Sequence, residues 1–78
     1  MATAEYEKVL AARGLGCLGK AKPDEPVFIL RGQDKLAPAL VDLWAQRAQA
    51  KGCPMNKVVE ALALADKMRK WKPRKFPD

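Results

Sequence analysis

The sequence of 78 residues contains no histidine, the side chain that most often acts as a general acid or base near neutral pH. Only two cysteines are present, Cys17 and Cys53, and no Cys-x-x-Cys spacing occurs. Two cysteines form no disulfide framework, and without histidine the chain offers no set of zinc ligands. We therefore expect a protein that is not an enzyme and that carries no metal and no cofactor.

Long apolar runs are also missing. No stretch of about 18 apolar residues exists, so we expect no membrane-spanning segment. Residues 1–10 include Glu5, Glu7 and Lys8 where a signal peptide needs a continuous apolar run, which favours an intracellular protein with reduced thiols. The apolar fraction is nevertheless 49%, which is typical of a folded domain. Because so short a chain builds only a small core, self-association is the most economical source of further stability.

Positive charge is in excess. Lysine and arginine number 15 against 9 acidic residues, which gives a net charge of +6. This balance favours anionic partners such as nucleotides, nucleic acid or an acidic protein. Much of the excess lies near the C-terminus, on Lys67, Arg69, Lys70, Lys72, Arg74 and Lys75. A solvated basic tail and a binding surface both fit this pattern.

Local signals divide the single domain into an N-terminal helix and loop (1–26), a strand with a helical hairpin (27–71) and a basic tail (72–78). Thr3 can cap the first helix and Gly14 can end it, which leaves residues 15–19 as an irregular apolar loop. Residues 27–30, Val-Phe-Ile-Leu, are strand-forming types. One strand needs a partner, either in the N-terminal region or in a second copy of the chain.

Two longer amphipathic segments, residues 36–51 and 55–71, predict an antiparallel helical hairpin. Pro38 suits a first helical turn, Gly52 ends the first helix, and Pro54 or Asn56 opens the second. Trp44 lies in the middle of an apolar stripe and is expected in the core. The stripes are too wide for a contact between two helices alone. The sequence therefore predicts a mainly α fold that assembles as a homo-oligomer, with helices packed as a bundle and the strand paired between chains.

A polar cluster follows the predicted strand, at the point where the strand ends and a helix begins. Exposed amide groups and the helix dipole favour an anion at such a junction, and an arginine can grip a phosphate with two hydrogen bonds. The cluster consists of Arg31, Gln33, Asp34 and Lys35. A purely structural interpretation is that Asp34 caps the helix while Arg31 pairs with Asp34 or with Glu25.

Further residues can complete a ligand site. Lys57, or Arg74 and Lys75 of a neighbouring subunit, can add positive charge. Trp71 and Phe76 lie among basic residues and can stack on a base. Both aromatic residues also fit a tail that docks on a neighbouring subunit.

The run Phe28-Ile29-Leu30-Arg31-Gly32-Gln33-Asp34-Lys35-Leu36-Ala37-Pro38, followed by Val41, Trp44-Ala45 and the closing residues 74–78, resembles small proteins encoded by bacteriophages and prophages. The resemblance covers roughly the last fifty residues and is one of general pattern. It implies a non-enzymatic anti-defence protein in the cytoplasm of a host bacterium. Such a protein would capture an anionic, nucleotide-like immune signal at a homo-oligomer interface. The alternatives are a nucleic-acid-binding accessory protein that uses the basic C-terminal surface, and an inhibitor of a host defence protein complex.

Overall fold

The structure is a computed structural model that describes residues 3–77, and it is mainly helical. Four helices follow one another within these residues: α1 (Ala4–Ala12), α2 (Gly16–Lys20), α3 (Ala37–Ala50) and α4 (Met55–Lys70). No sheet forms in the described part of the chain, where an isolated bridge between Asp34 and Lys75 is the single β-type pairing. The prediction of a mainly α fold is confirmed.

Helix α1 begins and ends where its local sequence favours. The Tyr6 amide donates a hydrogen bond to the Thr3 hydroxyl at 3.2 Å, which caps the first turn. Beyond the other end Gly14 takes a positive φ of 71°, and the Leu15 amide donates to the Leu10 carbonyl at 2.8 Å. Glycine adopts this left-handed conformation without the steric cost of a Cβ. The short N-terminal helix is therefore confirmed.

The irregular loop predicted for residues 15–19 is wrong, because most of it belongs to helix α2. Gly19 allows α2 to pack against α1. A Cβ at Gly19 would lie 2.9 Å from the carbonyl carbon of Gly14 and 3.1 Å from the Cα of Ala11. The glycines of this segment thus permit a close approach of backbones as well as a turn.

The strand predicted at residues 27–30 does not form in the single chain. A strand needs an extended neighbour to accept and donate its backbone hydrogen bonds. Within residues 3–77, none of the backbone N–H or C=O groups of residues 26–30 makes a hydrogen bond. Strand-forming residue types alone therefore leave this segment without regular structure, and its pairing with a second copy stays a prediction.

Helices α3 and α4 form the hairpin that the sequence predicts, within one residue of the predicted bounds. Pro38 lies in the first turn of α3, and Gly52 ends that helix with a positive φ of 78°. The two helices run antiparallel, since Arg69 in the last turn of α4 pairs with Asp42 in the first half of α3. The helical hairpin is confirmed.

The core of the hairpin is built from small residues. Ala45, Ala48 and Val58 form its centre with Ala61 against them, and Val58 is only 1% exposed. Alanine lets the two helix backbones approach closely but buries little apolar area. The chain therefore buries only a modest apolar area for its content of apolar residues.

The expected core position of Trp44 is wrong, because its side chain is 56% exposed. Helix α4 packs on the side of α3 that carries Ala37, Ala45 and Ala48. Trp44 is one residue from Ala45 and therefore lies about 100° around the helix from it. A second apolar stripe of α3 remains at the surface, and its members are Leu36, Leu40, Leu43 and Trp44.

The single chain leaves more surface exposed than a compact protein of its size. Its accessible surface is 6519 Å², whereas about 4,700 Å² is expected for a folded chain of 8.6 kDa. Its radius of gyration is 13.3 Å, against about 11.5 Å for a compact domain of this length. Among the described residues, α1 packs on α2 and α3 packs on α4, but neither of the first two packs on the hairpin. The molecule is therefore two small helical pairs joined by residues 21–36.

Candidate anion-binding site

The polar cluster lies in a tight turn just before α3. The Asp34 amide donates to the Arg31 carbonyl at 3.0 Å, which closes a turn over residues 31–34. The Asp34 carboxylate accepts a hydrogen bond from the Leu36 amide at 2.8 Å. Leu36 is the cap residue of α3. Asp34 thus satisfies a backbone amide directly ahead of the helix, as its residue type favours.

The basic tail lies against this turn in the same chain. The Lys75 amide donates to the Gln33 carbonyl at 2.7 Å, and the Lys35 amide donates to the Lys75 carbonyl at 2.8 Å. These two bonds form the isolated parallel bridge between residues 34 and 75. No neighbouring subunit is needed to bring Lys75 to the cluster.

Arg74 fastens the tail in place. Its guanidinium donates to the Asp34 carbonyl at 3.2 Å and also to the Met68 carbonyl. The Met68 carbonyl belongs to the last turn of α4 and also accepts a hydrogen bond from the Trp71 amide at 3.2 Å. Arg74 is partly buried and joins the end of α4, the turn and the tail. In this chain it therefore supports the site through backbone contacts.

Together the turn and the tail form a shallow open depression of about 150 Å³, called here the basic depression. Its cationic side chains are Arg31 and Lys75, and Phe76 supplies an aromatic wall. The remaining lining residues are Ile29, Gln33, Asp34 and Pro77. The depression offers positive charge, an amide, a carboxylate and an apolar surface within one small area.

The Arg31 guanidinium makes no hydrogen bond and no ion pair within residues 3–77. Both acids that the sequence offered as partners bind backbone amides instead. The Asp34 carboxylate accepts from the Leu36 amide, and the Glu25 carboxylate accepts from the Lys22 amide at 3.1 Å. Asp34 therefore binds the amide of the cap residue Leu36 but does not itself cap α3, and Arg31 pairs with neither acid within residues 3–77.

Two aromatic side chains and one lysine border the depression. The Lys35 ammonium lies 4.9 Å from the centre of the Phe76 ring, in the range of a cation–π contact. Trp71 packs beside the turn, since a Cβ at Gly32 would lie 3.7 Å from its Cγ. Both rings remain more than half exposed. They can therefore accept a stacked base from solvent.

Lys57 lies elsewhere. It is in the first turn of α4, and the Met68 carbonyl that Arg74 binds is eleven residues further along. At a rise of about 1.5 Å per residue, this separation is about 16 Å along the helix axis. Lys57 therefore does not reach the basic depression of its own chain.

The basic surface of α4 is partly neutralised. The Arg69 guanidinium binds the Asp42 carboxylate and the Asp66 carboxylate, the latter at 2.8 Å. Asp66 lies three residues before Arg69 on the same helix. An arginine spans both acids because its planar fork presents several N–H groups at once. Fewer free cations thus remain on this helix than its composition indicates.

Sequence reasoning missed the lining role of Ile29 and Pro77 and the structural role of Arg74. An arginine a few residues beyond a helix C-terminus is a known signal for binding the last carbonyl groups, and it was present here. Nothing local, however, indicates that residues 33 and 75 meet. The fold of the tail depends on that contact.

No group of three or more His, Cys, Asp or Glu side chains that could hold a metal ion occurs among residues 3–77. Within the same residues, no helix is both long enough and apolar enough to cross a bilayer. Comparison of the chain with protein-family models, with curated proteins and with solved structures finds no match.

Proposed function

We propose that this protein is a non-enzymatic binding protein that captures an anionic, nucleotide-like small molecule in the basic depression of a homo-oligomer. The observation that carries the proposal is the exposed Arg31 guanidinium, which has no partner within residues 3–77. It lies beside Lys75 and a half-exposed aromatic ring. A phosphate and a base are the two halves of a ligand that match these groups.

Each lining group has a chemical role in this proposal. Arg31 donates two parallel hydrogen bonds to one phosphate, and Lys75 contributes a second positive charge. Phe76 or Trp71 stacks on the base, which is worth about 1–3 kcal/mol. Gln33 and Asp34 offer an amide and a carboxylate oxygen to polar edges of the ligand.

The size of the depression favours a shared site. Pockets that enclose a small molecule usually measure about 300–1,000 Å³, and the basic depression measures about 150 Å³. One chain therefore covers only part of a nucleotide. A second subunit would cover the rest, which agrees with the apolar surface that a single chain leaves exposed. Lys57 of that subunit remains a candidate for the opposite wall.

The resemblance to small phage proteins provides a biological setting for this chemistry. In that setting, the captured molecule is a nucleotide signal of host immunity, and capture lowers its free concentration in the bacterial cytoplasm. No bond in the ligand needs to break. An inhibitor that docks on a host defence complex would leave nucleotides unbound. A nucleotide-binding assay therefore distinguishes that alternative from this proposal.

A nucleic-acid-binding accessory protein is the second candidate. The concentration of lysine and arginine at the end of α4 and in the tail favours it. The two candidates differ in their response to salt, because each phosphate contact on DNA adds about 0.9 to the slope of log affinity against log salt. A ligand with one or two phosphates gives a shallow slope and a fixed stoichiometry.

Isothermal titration calorimetry with a panel of nucleotides and cyclic nucleotides tests the proposal. Arg31→Ala is expected to weaken binding at least about tenfold, because a charge-assisted contact to phosphate contributes about 1.5–3 kcal/mol. Arg13→Ala is the matched control, since Arg13 is an exposed arginine at the end of α1. Equal affinity of the two variants for a nucleotide that binds wild type would refute the role of Arg31.

A further inference from the structure

Residues 26–30 form an apolar segment whose backbone makes no hydrogen bond within residues 3–77. Phe28 is 85% exposed and Ile29 is 70% exposed. The backbone amides and carbonyls of residues 26–30 make no hydrogen bond within residues 3–77. Exposed strand-forming residues with open backbone groups are a template for another strand. Within residues 3–77 the backbone of this segment is therefore unpaired, and the side chains of Phe28 and Ile29 are mostly exposed.

A second copy of the chain fits this segment because its own sequence restricts the pairing. Two identical strands related by a two-fold axis in one sheet run antiparallel, and the axis passes through a residue that lies opposite itself. The possible centres of this short segment are Val27, Phe28 and Ile29. Each centre defines one register, so the charges at the two ends can be compared directly.

Pro26 determines which residues direct their backbone groups towards the partner. Proline has no N–H, so it belongs where the backbone faces away from the neighbouring strand. Because backbone direction alternates along a strand, Phe28 and Leu30 face away as well. Val27 and Ile29 then exchange hydrogen bonds with the second copy. Phe28 occupies a position between hydrogen-bonded pairs, where opposing side chains are closest.

Charge selects the register. With Phe28 at the centre, Arg31 of each chain lies opposite Glu25 of the other chain, so an opposite-charge pair forms at both ends. With Val27 at the centre Arg31 would face Pro23, and with Ile29 at the centre it would face Val27. Only the first register gives the Arg31 guanidinium an acidic partner directly across the strand pair.

We propose that a second copy of this chain docks antiparallel along residues 25–31, with Phe28 opposite Phe28 and an Arg31–Glu25 pair at each end. The pairing supplies hydrogen bonds to the backbone groups of Val27 and Ile29, which have none within residues 3–77. An open, mainly apolar cavity of about 350 Å³ borders the same segment, lined in part by Cys17, Leu18 and Phe28. This cavity gives room for apolar side chains of the second copy.

The exposed area is sufficient for such an interface. The chain exposes about 1,800 Å² more than a compact chain of its mass, and a standard interface removes about 800 Å² from each partner. A two-stranded ribbon alone is only marginally stable. Burial of Phe28, Ile29 and the bordering cavity would therefore contribute most of the affinity.

The inference shares with the proposed function the expectation that the chain self-associates, and it specifies the contact. Arg31 has five N–H donors, so one edge of its guanidinium can bind Glu25 of the second copy while the other binds an anion. Dimerisation and ligand binding therefore use the same residue but respond differently to substitution. This difference makes the two proposals separable.

A charge exchange tests the register by sedimentation velocity on the full chain. Glu25→Arg is expected to raise the dimer dissociation constant about tenfold, because like charges then lie opposite each other at both ends. Arg31→Glu is expected to have a similar effect. The double variant Glu25→Arg/Arg31→Glu restores opposite charges and is expected to dimerise as wild type does, yet to bind no nucleotide.

Asp24→Arg is the matched control. It reverses the neighbouring acid, which lies opposite Gly32 in this register, and it should leave dimerisation close to that of wild type. Far-UV circular dichroism confirms that each variant keeps its helices. A monomeric wild type, an Asp24→Arg variant that dissociates as readily as Glu25→Arg, or a double variant that fails to recover would overturn the inference. If the double variant dimerises again but the wild type binds no nucleotide, only the proposed function is refuted.

Discussion

At the scale of single residues, Arg74 connects the end of α4 and the tail with a turn that lies about 40 residues away in sequence. It lies in the tail and binds carbonyl groups of the turn and of the last turn of α4. Lysine in its place would carry the same charge but would lack the planar fork that reaches two carbonyls at once. The geometry of Arg74, more than its charge, therefore holds the basic depression together.

Arg74→Ala is expected to release the tail and to destabilise the chain by about 1–3 kcal/mol, the usual cost of losing hydrogen bonds from a charged group. Hydrogen exchange measures the local effect. The amides of Lys35 and Lys75, which pair the turn with the tail, should exchange faster. Arg74→Lys is the control for charge, and it should fail to restore slow exchange. If both amides remain as protected as in wild type, Arg74 does not fasten the tail.

At the scale of elements, the α3–α4 hairpin depends on a very small core. Val58 is the largest fully buried side chain among the described residues, whereas the adjacent Val59 is 57% exposed. These two valines have the same side chain and lie in the same helix, so they differ only in the side of α4 on which they lie. Substitution of each in turn therefore distinguishes packing within the hairpin from packing against another chain.

Val58→Ala is expected to lower the free energy of unfolding by about 2 kcal/mol, because two buried methyl groups are lost and a cavity remains. Val59→Ala is expected to change it by less than about 0.5 kcal/mol in a single chain. Urea unfolding at a fixed low protein concentration measures both values. Similar losses for the two variants would mean that Val59 is also buried, and thus that another chain covers this side of α4.

Local signals predicted the helices well because their causes are local. The cap at Thr3 and the glycines at residues 14 and 52 depend on residues within one or two turns. Whether Trp44 or Ala45 faces α4 is not local, since both positions fit an apolar stripe. The sequence favoured the larger side chain, but two helices approach each other more closely through alanines.

The candidate site was predictable in part for the same reason. The turn chemistry of Asp34 and its place before α3 follow from neighbouring residues. The contact between Gln33 and Lys75 spans more than forty residues and has no local signature. The sequence therefore indicated the charged turn and the basic tail separately. It assigned the tail residues to a neighbouring subunit, whereas the structure brings them to the turn of their own chain.

At the scale of the whole molecule, the two helical pairs do not pack on each other. The chain also exposes an extensive apolar surface. A small domain of this kind gains stability when a second copy covers that surface. In the proposed function a second copy covers this surface, because the depression of one chain is too small to enclose a nucleotide. Ligand capture and self-association then occur together.

Native mass spectrometry of the purified full chain, incubated with nucleotides, cyclic nucleotides and a short DNA duplex, tests this account most directly. Homo-oligomers that carry a fixed number of small nucleotide ligands are the predicted result. The oligomers that the Arg31→Ala variant forms should carry few nucleotide ligands. A monomer that ignores every nucleotide and takes up only the duplex would contradict the account and would favour nucleic-acid binding through the basic surface of α4 and the tail.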